Sequence, residues 1–151
     1  FDEAVRDGQG GVYAGSLDGW LFDFRPGYET PLWQTRVGGP LSRAPLPEGA
    51  SLYLLTDTGE LQGYDASRGT RLWSEPAGGD AAGPLSSDAK RLFVATVPGK
   101  LLCYAKSAGG ATPRLAWQVP FDERLATGPA LADGWLVLAD QSGRLYGFRL
   151  P

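Results

Sequence analysis

Short apolar runs recur along the chain, and each is closed by a glycine turn. Four of them align: Val12-Tyr13-Ala14 before Gly19, Leu52-Tyr53-Leu54-Leu55 before Gly59, Leu92-Phe93-Val94-Ala95 before Gly99, and Leu136-Val137-Leu138-Ala139 before Gly143. The turn glycines are 40, 40 and 44 residues apart. A period of that length is the mark of a repeat architecture, in which each unit is one supersecondary element stacked on its neighbours. The runs are strand-length, and a tight turn that needs positive φ selects Gly at its end.

After each turn a Leu follows two residues on (Leu21, Leu61, Leu101, Leu145) and an aromatic five residues on (Phe24, Tyr64, Tyr104, Phe148). Residues three apart on a strand point to opposite faces. Both faces are therefore apolar, as in a sheet packed between two others. A sheet with one wet face would alternate more cleanly. A fourth strand carries Trp in three units, as Leu32-Trp33-Gln34, Leu72-Trp73-Ser74 and Ala116-Trp117-Gln118. The first strand of a unit is short and begins near Pro45, Pro84 or Pro129. The extra four residues of the third unit fall in the Gly/Ala-rich loop from Lys106 to Pro113, where a repeat tolerates insertion.

The pattern predicts an all-β fold of fifteen strands. The units run over residues 1–38, 39–78, 79–122 and 123–151, within a single domain of 1–151. Three units have four strands, and the last ends before its Trp strand. The fold is expected to be a β-propeller of about four blades, or part of a larger ring. Gly19, Gly59, Gly99 and Gly143 are its expected structural turn positions, and Trp33, Trp73 and Trp117 its blade-docking positions.

Composition sharpens this picture. Twenty-two Gly and twelve Pro in 151 residues argue against long helices. A net charge of −3 gives no basic face for nucleic acid. No apolar run approaches the roughly 18 residues of a membrane span. The single cysteine, Cys103, excludes a disulfide framework within the chain. The lack of Met leads us to expect a processed protein or the ordered part of a longer one.

Tyr64-Asp65-Ala66-Ser67-Arg68-Gly69-Thr70-Arg71-Leu72-Trp73 closely resembles the signature of PQQ-type (quinoprotein-like) repeats. The first and third units are looser, with Gly27 and Gly109-Gly110 in the turn region. The competing WD40 repeats usually carry Gly-His and Trp-Asp pairs. This chain has no His and no Trp followed by Asp. Proteins with PQQ-type repeats include quinoprotein alcohol dehydrogenases, an outer-membrane assembly lipoprotein of the BamB type, and sensor domains of bacterial Ser/Thr kinases.

The enzymes of that family are known for a vicinal cysteine pair and for Ca²⁺ held by a carboxylate and an amide. One cysteine and no Asn cannot supply that site. The absence of His excludes Ser-His-Asp catalysis and Cys/His zinc sites. The acids are scattered and suggest no acid/base pair. The resemblance thus implies the non-catalytic branch, BamB-like or kinase-sensor-like, with no cofactor, no metal and no catalytic residue. The expected function is a binding or scaffold module, engaging a protein or peptide through propeller loops or an open blade edge. The alternative is a fragment of a quinoprotein-like enzyme whose cofactor-binding residues lie outside this chain. A second copy could complete a larger ring. The residues themselves do not name a compartment, and the resemblance favours a periplasmic or other extracytoplasmic location.

Two Trp residues fall outside the repeat pattern, Trp20 and Trp135. Trp20 occupies a column held elsewhere by Glu60, Lys100 and Arg144. An aromatic where sister units place charges is expected near solvent, and exposed Trp is enriched at binding surfaces. Trp20 is therefore the candidate contact residue, with edge packing against a missing neighbour as the alternative reading. Cys103 shares a column with Asp23, Gly63 and Gly147, and its expected role is a small side chain packed between blades.

Overall fold

A computed structural model describes residues 3–151. It contains fifteen strands in four antiparallel sheets, each built from strands consecutive in sequence. The first blade is β1 (Ala4–Arg6), β2 (Val12–Gly15), β3 (Trp20–Phe24) and β4 (Trp33–Arg36). The second is β5 (Leu46–Glu48), β6 (Ser51–Leu55), β7 (Glu60–Asp65) and β8 (Arg71–Pro76). The third is β9 (Ser86–Ser87), β10 (Arg91–Thr96), β11 (Lys100–Ala105) and β12 (Arg114–Pro120). The fourth has three strands, β13 (Ala130–Ala132), β14 (Trp135–Ala139) and β15 (Leu145–Arg149). These are the blades of a β-propeller. The inserted loop of the third unit holds one short 3-10 turn, Ala108–Gly110.

The same turn joins the second and third strands of every blade. The glycine amide donates to the carbonyl three residues back: Gly19 to Ser16 (3.1 Å), Gly59 to Thr56 (2.9 Å), Gly99 to Thr96 (3.0 Å) and Gly143 to Asp140 (3.2 Å). All four glycines have positive φ, between 85° and 112°, a region that a Cβ makes costly. The residue three before the glycine is Ser, Thr, Thr or Asp. It closes the turn with its side chain in three of the four blades. Trp20 N donates to Ser16 Oγ (3.1 Å), Glu60 N to Thr56 Oγ1 (3.0 Å) and Arg144 N to Asp140 Oδ1 (3.0 Å).

Buried apolar clusters lie between successive blades. Leu21 and Tyr13 of the first meet Leu52, Leu54 and Tyr64 of the second. Leu61 and Trp73 of the second meet Leu92, Val94 and Tyr104 of the third. Leu101 and Phe93 of the third meet Leu136, Leu138 and Phe148 of the fourth. The expected two-faced burial is clearest in β7 and β11, whose interior residues are buried on both sides. Among the described residues, no cluster joins the fourth blade to the first.

Each of the first three blades is also tied to the segment that leaves its fourth strand. Val37, Ala77 and Phe121 lie four residues after the blade's Trp. Their amides donate to the turn-glycine carbonyls of Gly19 (3.1 Å), Gly59 (2.8 Å) and Gly99 (2.8 Å). Gln62, fully buried, adds a bond across the first gap by donating to Val37 O at 2.8 Å.

Candidate functional site

Three blades share a three-residue row across their second, third and fourth strands. The rows are Tyr13–Asp23–Trp33, Tyr53–Gly63–Trp73 and Phe93–Cys103–Trp117. In each, the Trp ring reaches over the middle residue to the aromatic beyond it, with ring centroids 5.9, 6.1 and 6.1 Å apart. The middle column must stay narrow for this. A Cβ at Gly63 would stand 2.3 Å from the Trp73 ring. The row faces the next blade: Trp33 Nε1 donates to Ala66 O of the second blade at 3.0 Å.

The fourth blade carries the first two members of the row, Val137–Gly147, and no third. Its next-blade face is uncovered. Leu21, Leu61 and Leu101 are 0% exposed, whereas Leu145 in the same column is 76% exposed. Val137 and Trp135 on that face are 38% and 45% exposed. The opposite face is packed, with Leu136 and Leu138 buried against the third blade. The Trp135 ring lies 3.6 Å from where a Gly147 Cβ would stand. Among the described residues, β15 pairs only with β14, so its outer edge is open. The sequence marks this place only by the missing Trp strand and the off-pattern Trp135. Leu145 reads as an ordinary core column until its neighbour is seen to be absent.

Trp20, the candidate contact, lies at the opposite end of the molecule and is half-buried. Arg36 from the paired strand covers its ring at 4.5 Å, and Phe22 lies against it with centroids 6.3 Å apart. The adjoining turn presents Leu17, which is well exposed. Trp20 and Leu17 thus form an aromatic–aliphatic corner beside a shallow cleft lined by Asp18, Arg36 and Pro40. The structure does not bring Trp20 together with Trp135 or with Cys103.

The main polar constellation sits between the first and second blades. Arg25 is ion-paired with Asp7 and with the buried Asp23, whose Oδ1 lies 2.7 Å from Arg25 Nε. It also donates to Tyr13 Oη at 2.8 Å. Burial raises the Asp23 carboxyl above its ordinary pKa despite this partner. The group borders a cleft of about 520 Å³. The single guanidinium is shared by the two carboxylates, and Arg25 caps the Tyr13 ring at 5.3 Å. The arrangement binds the first blade together and offers no nucleophile.

Cys103 is fully buried beneath Trp117 and Phe93, and burial pushes its thiol up to about 11. It is therefore a packed thiol, not a reactive thiolate. Among the described residues, no group of three acids, His or Cys converges as a metal site would require.

Comparison with known proteins places these features in context. The family model described as outer membrane protein assembly factor BamB matches residues 5–101, well over half of the chain. The outer membrane protein assembly factor BamB of Xanthomonas campestris pv. campestris is 29% identical to this chain. The alignment covers 97% of this chain and 37% of that protein. The crystal structure of BamB from Moraxella catarrhalis superposes with a TM-score of 0.79 at 18% identity, covering 93% of this chain and 43% of that one. The computationally designed Ika4 protein superposes with a TM-score of 0.80 at 12% identity, covering 94% of this chain and 86% of that one. At such identities the structural likeness speaks for the fold. The chain spans less than half the length of either BamB relative.

Proposed function

Because the chain belongs to the family of the outer membrane protein assembly factor BamB, we propose that it is a non-enzymatic protein-binding scaffold in outer-membrane protein assembly. In this reading it works outside the cytoplasm and holds a protein partner through its exposed blade surfaces. The observation that carries the proposal is the match to that family's model over residues 5–101, on a chain whose blades repeat without a gap. Exposed apolar side chains such as those of the Leu17–Trp20 corner are the kind of surface that marks interaction sites.

In vivo crosslinking tests the proposal. A photo-reactive amino acid is placed at Leu145, or at Trp20, and the chain is expressed in a Gram-negative cell with export to the periplasm. Crosslinked partners are identified by mass spectrometry. Adducts with envelope proteins of the outer-membrane assembly route are expected at one or both positions, and none at the exposed control Leu72. Adducts equally abundant at Leu72, or no adduct at either test position, would refute the scaffold reading. A vicinal cysteine pair and calcium ligands elsewhere in the full coding sequence would favour the enzyme-fragment alternative instead.

A further inference from the structure

We propose that one end of the first three blades is a membrane-contact surface, which seats the chain on an anionic phospholipid bilayer. It is the end where first strands turn into second strands and third strands connect to fourth. The inference goes beyond the scaffold reading and rests on it only in taking a membrane to be at hand.

Antiparallel order brings those two kinds of connection to one end of every blade and the glycine turns to the other. The cleft beside Arg25 shows the alignment across blades, since it is lined by Gln9 and Arg25 of the first and by Ala50 and Ser67 of the second. Four large apolar side chains are exposed at this end: Tyr28, Leu32, Leu72 and Leu115. The three leucines recur with the repeat, one or two residues before Trp33, Trp73 and Trp117. Leu72 and Leu115 belong to blades that have a neighbour on each side, so no uncovered blade face explains their exposure. None of the four lines any of the main clefts. They are separate tips, not the walls of a groove.

Charge at this end favours an anionic surface, although the chain as a whole is acidic. Arg6, Arg68, Arg71, Lys90 and Arg114 are exposed here, and none forms an ion pair among the described residues. Arg71 and Arg114 directly precede Leu72 and Leu115. The acids are engaged. Asp7 pairs with Arg25, Glu48 with Lys106 and Asp88 with Arg91, while Asp65 accepts from the Ser67 hydroxyl. Among the described residues, Glu29 is the one exposed acid at this end of the three blades. The opposite end reverses the balance, exposing Asp18, Glu60, Asp80, Asp122 and Glu123 against Arg36, Lys100 and Arg124. A cation beside an exposed leucine suits the interfacial layer of a bilayer. The cation meets lipid phosphate while the leucine and tyrosine tips enter the acyl boundary. A protein partner would bury such scattered tips poorly, because a protein interface needs a closely packed core.

Vesicle flotation with the whole chain tests this. Binding is expected to vesicles of phosphatidylglycerol mixed with phosphatidylethanolamine, and not to vesicles of phosphatidylcholine alone. Lys90→Glu combined with Arg114→Glu should weaken binding about tenfold, and high salt should weaken that of the parent. Leu72→Ser combined with Leu115→Ser should weaken it at low and high salt alike. Lys100→Glu combined with Arg124→Glu makes the same charge change at the acidic end and should leave binding unchanged. All three variants alter exposed side chains, and their thermal melts should match that of the parent. Equal losses from the two charge variants, or equal binding to phosphatidylcholine, would overturn the proposal. So would tighter binding of soluble polyglutamate than of the anionic vesicles, since an acidic protein would then be the occupant. A lipid-facing Leu72 agrees with the absence of protein crosslinks expected there. If vesicle binding fails while crosslinks at Leu145 or Trp20 succeed, the scaffold reading stands and this inference falls. Vesicle binding without those crosslinks would support this inference and sink the scaffold reading.

Discussion

One column decides how much each blade tolerates at a single residue. Gly63 and Gly147 hold equivalent positions, but a Trp lies over the first and no fourth-strand Trp covers the second. We expect Gly63→Ala to destabilise by about 1–3 kcal/mol, because the added methyl collides with an immobile ring. Gly147→Ala should be neutral, or stabilising by up to about 1 kcal/mol, since it loses only glycine's backbone freedom. Chemical denaturation of the two variants checks the contrast, and equal effects would contradict it. Asp140 contributes to the acid limb. Its carboxylate accepts from the Ser142 hydroxyl (2.6 Å), the Tyr146 hydroxyl (2.7 Å) and the amides of Ser142 and Arg144. The Ser142 hydroxyl, with these partners, holds its pKa down to about 2 from 3.8. The folded state thus favours the ionised form, so the stabilisation is whole above about pH 4 and disappears as pH falls through about 2. Asp140→Asn should flatten the stability profile over that window. An acid limb as steep as that of the parent protein would show that other carboxylates control it.

Element by element, a side chain's worth depends on whether a further blade covers it. Leu101→Ala opens a fully buried site between the third and fourth blades, and a loss of about 2–5 kcal/mol is expected. Leu145→Ala alters the same column on the uncovered face and should fall within about 0.5 kcal/mol of the parent. Urea midpoints of the pair measure this. Much of the strand architecture was legible in the sequence. The turn glycines, the Leu and aromatic columns and the Trp strands each follow from local backbone or period-2 constraints, and they give the fifteen strands seen. The candidate contact surface was less legible. Trp20 stands out in sequence as an aromatic among charges, yet Arg36 stacks on it and hides part of its ring. Leu145 looks like its buried sisters, because a pattern within one strand cannot report whether another sheet lies beyond it. Trp135 departs from its column, and only the structure shows it resting over Gly147.

The molecule as a whole is a linear stack. Its three apolar clusters each bind one blade to the next, so stability is a sum of nearest-neighbour terms, as in repeat proteins. The second and third blades are covered on both faces. Hydrogen exchange should therefore be slowest in β6, β7, β10 and β11 and faster in the first and fourth blades. Uniform protection across all four blades would point to a single all-or-none unit. The double variant Leu21→Ala with Leu136→Ala should be additive within about 0.5 kcal/mol, since the two sites share no cluster. The pairing of every strand with its immediate sequence neighbour has a further consequence, for biogenesis. A polypeptide threaded N-terminus first through a narrow translocation channel could build this stack in order. Each sheet would need only residues that have just emerged, and the arrival of the next blade would bury its open face.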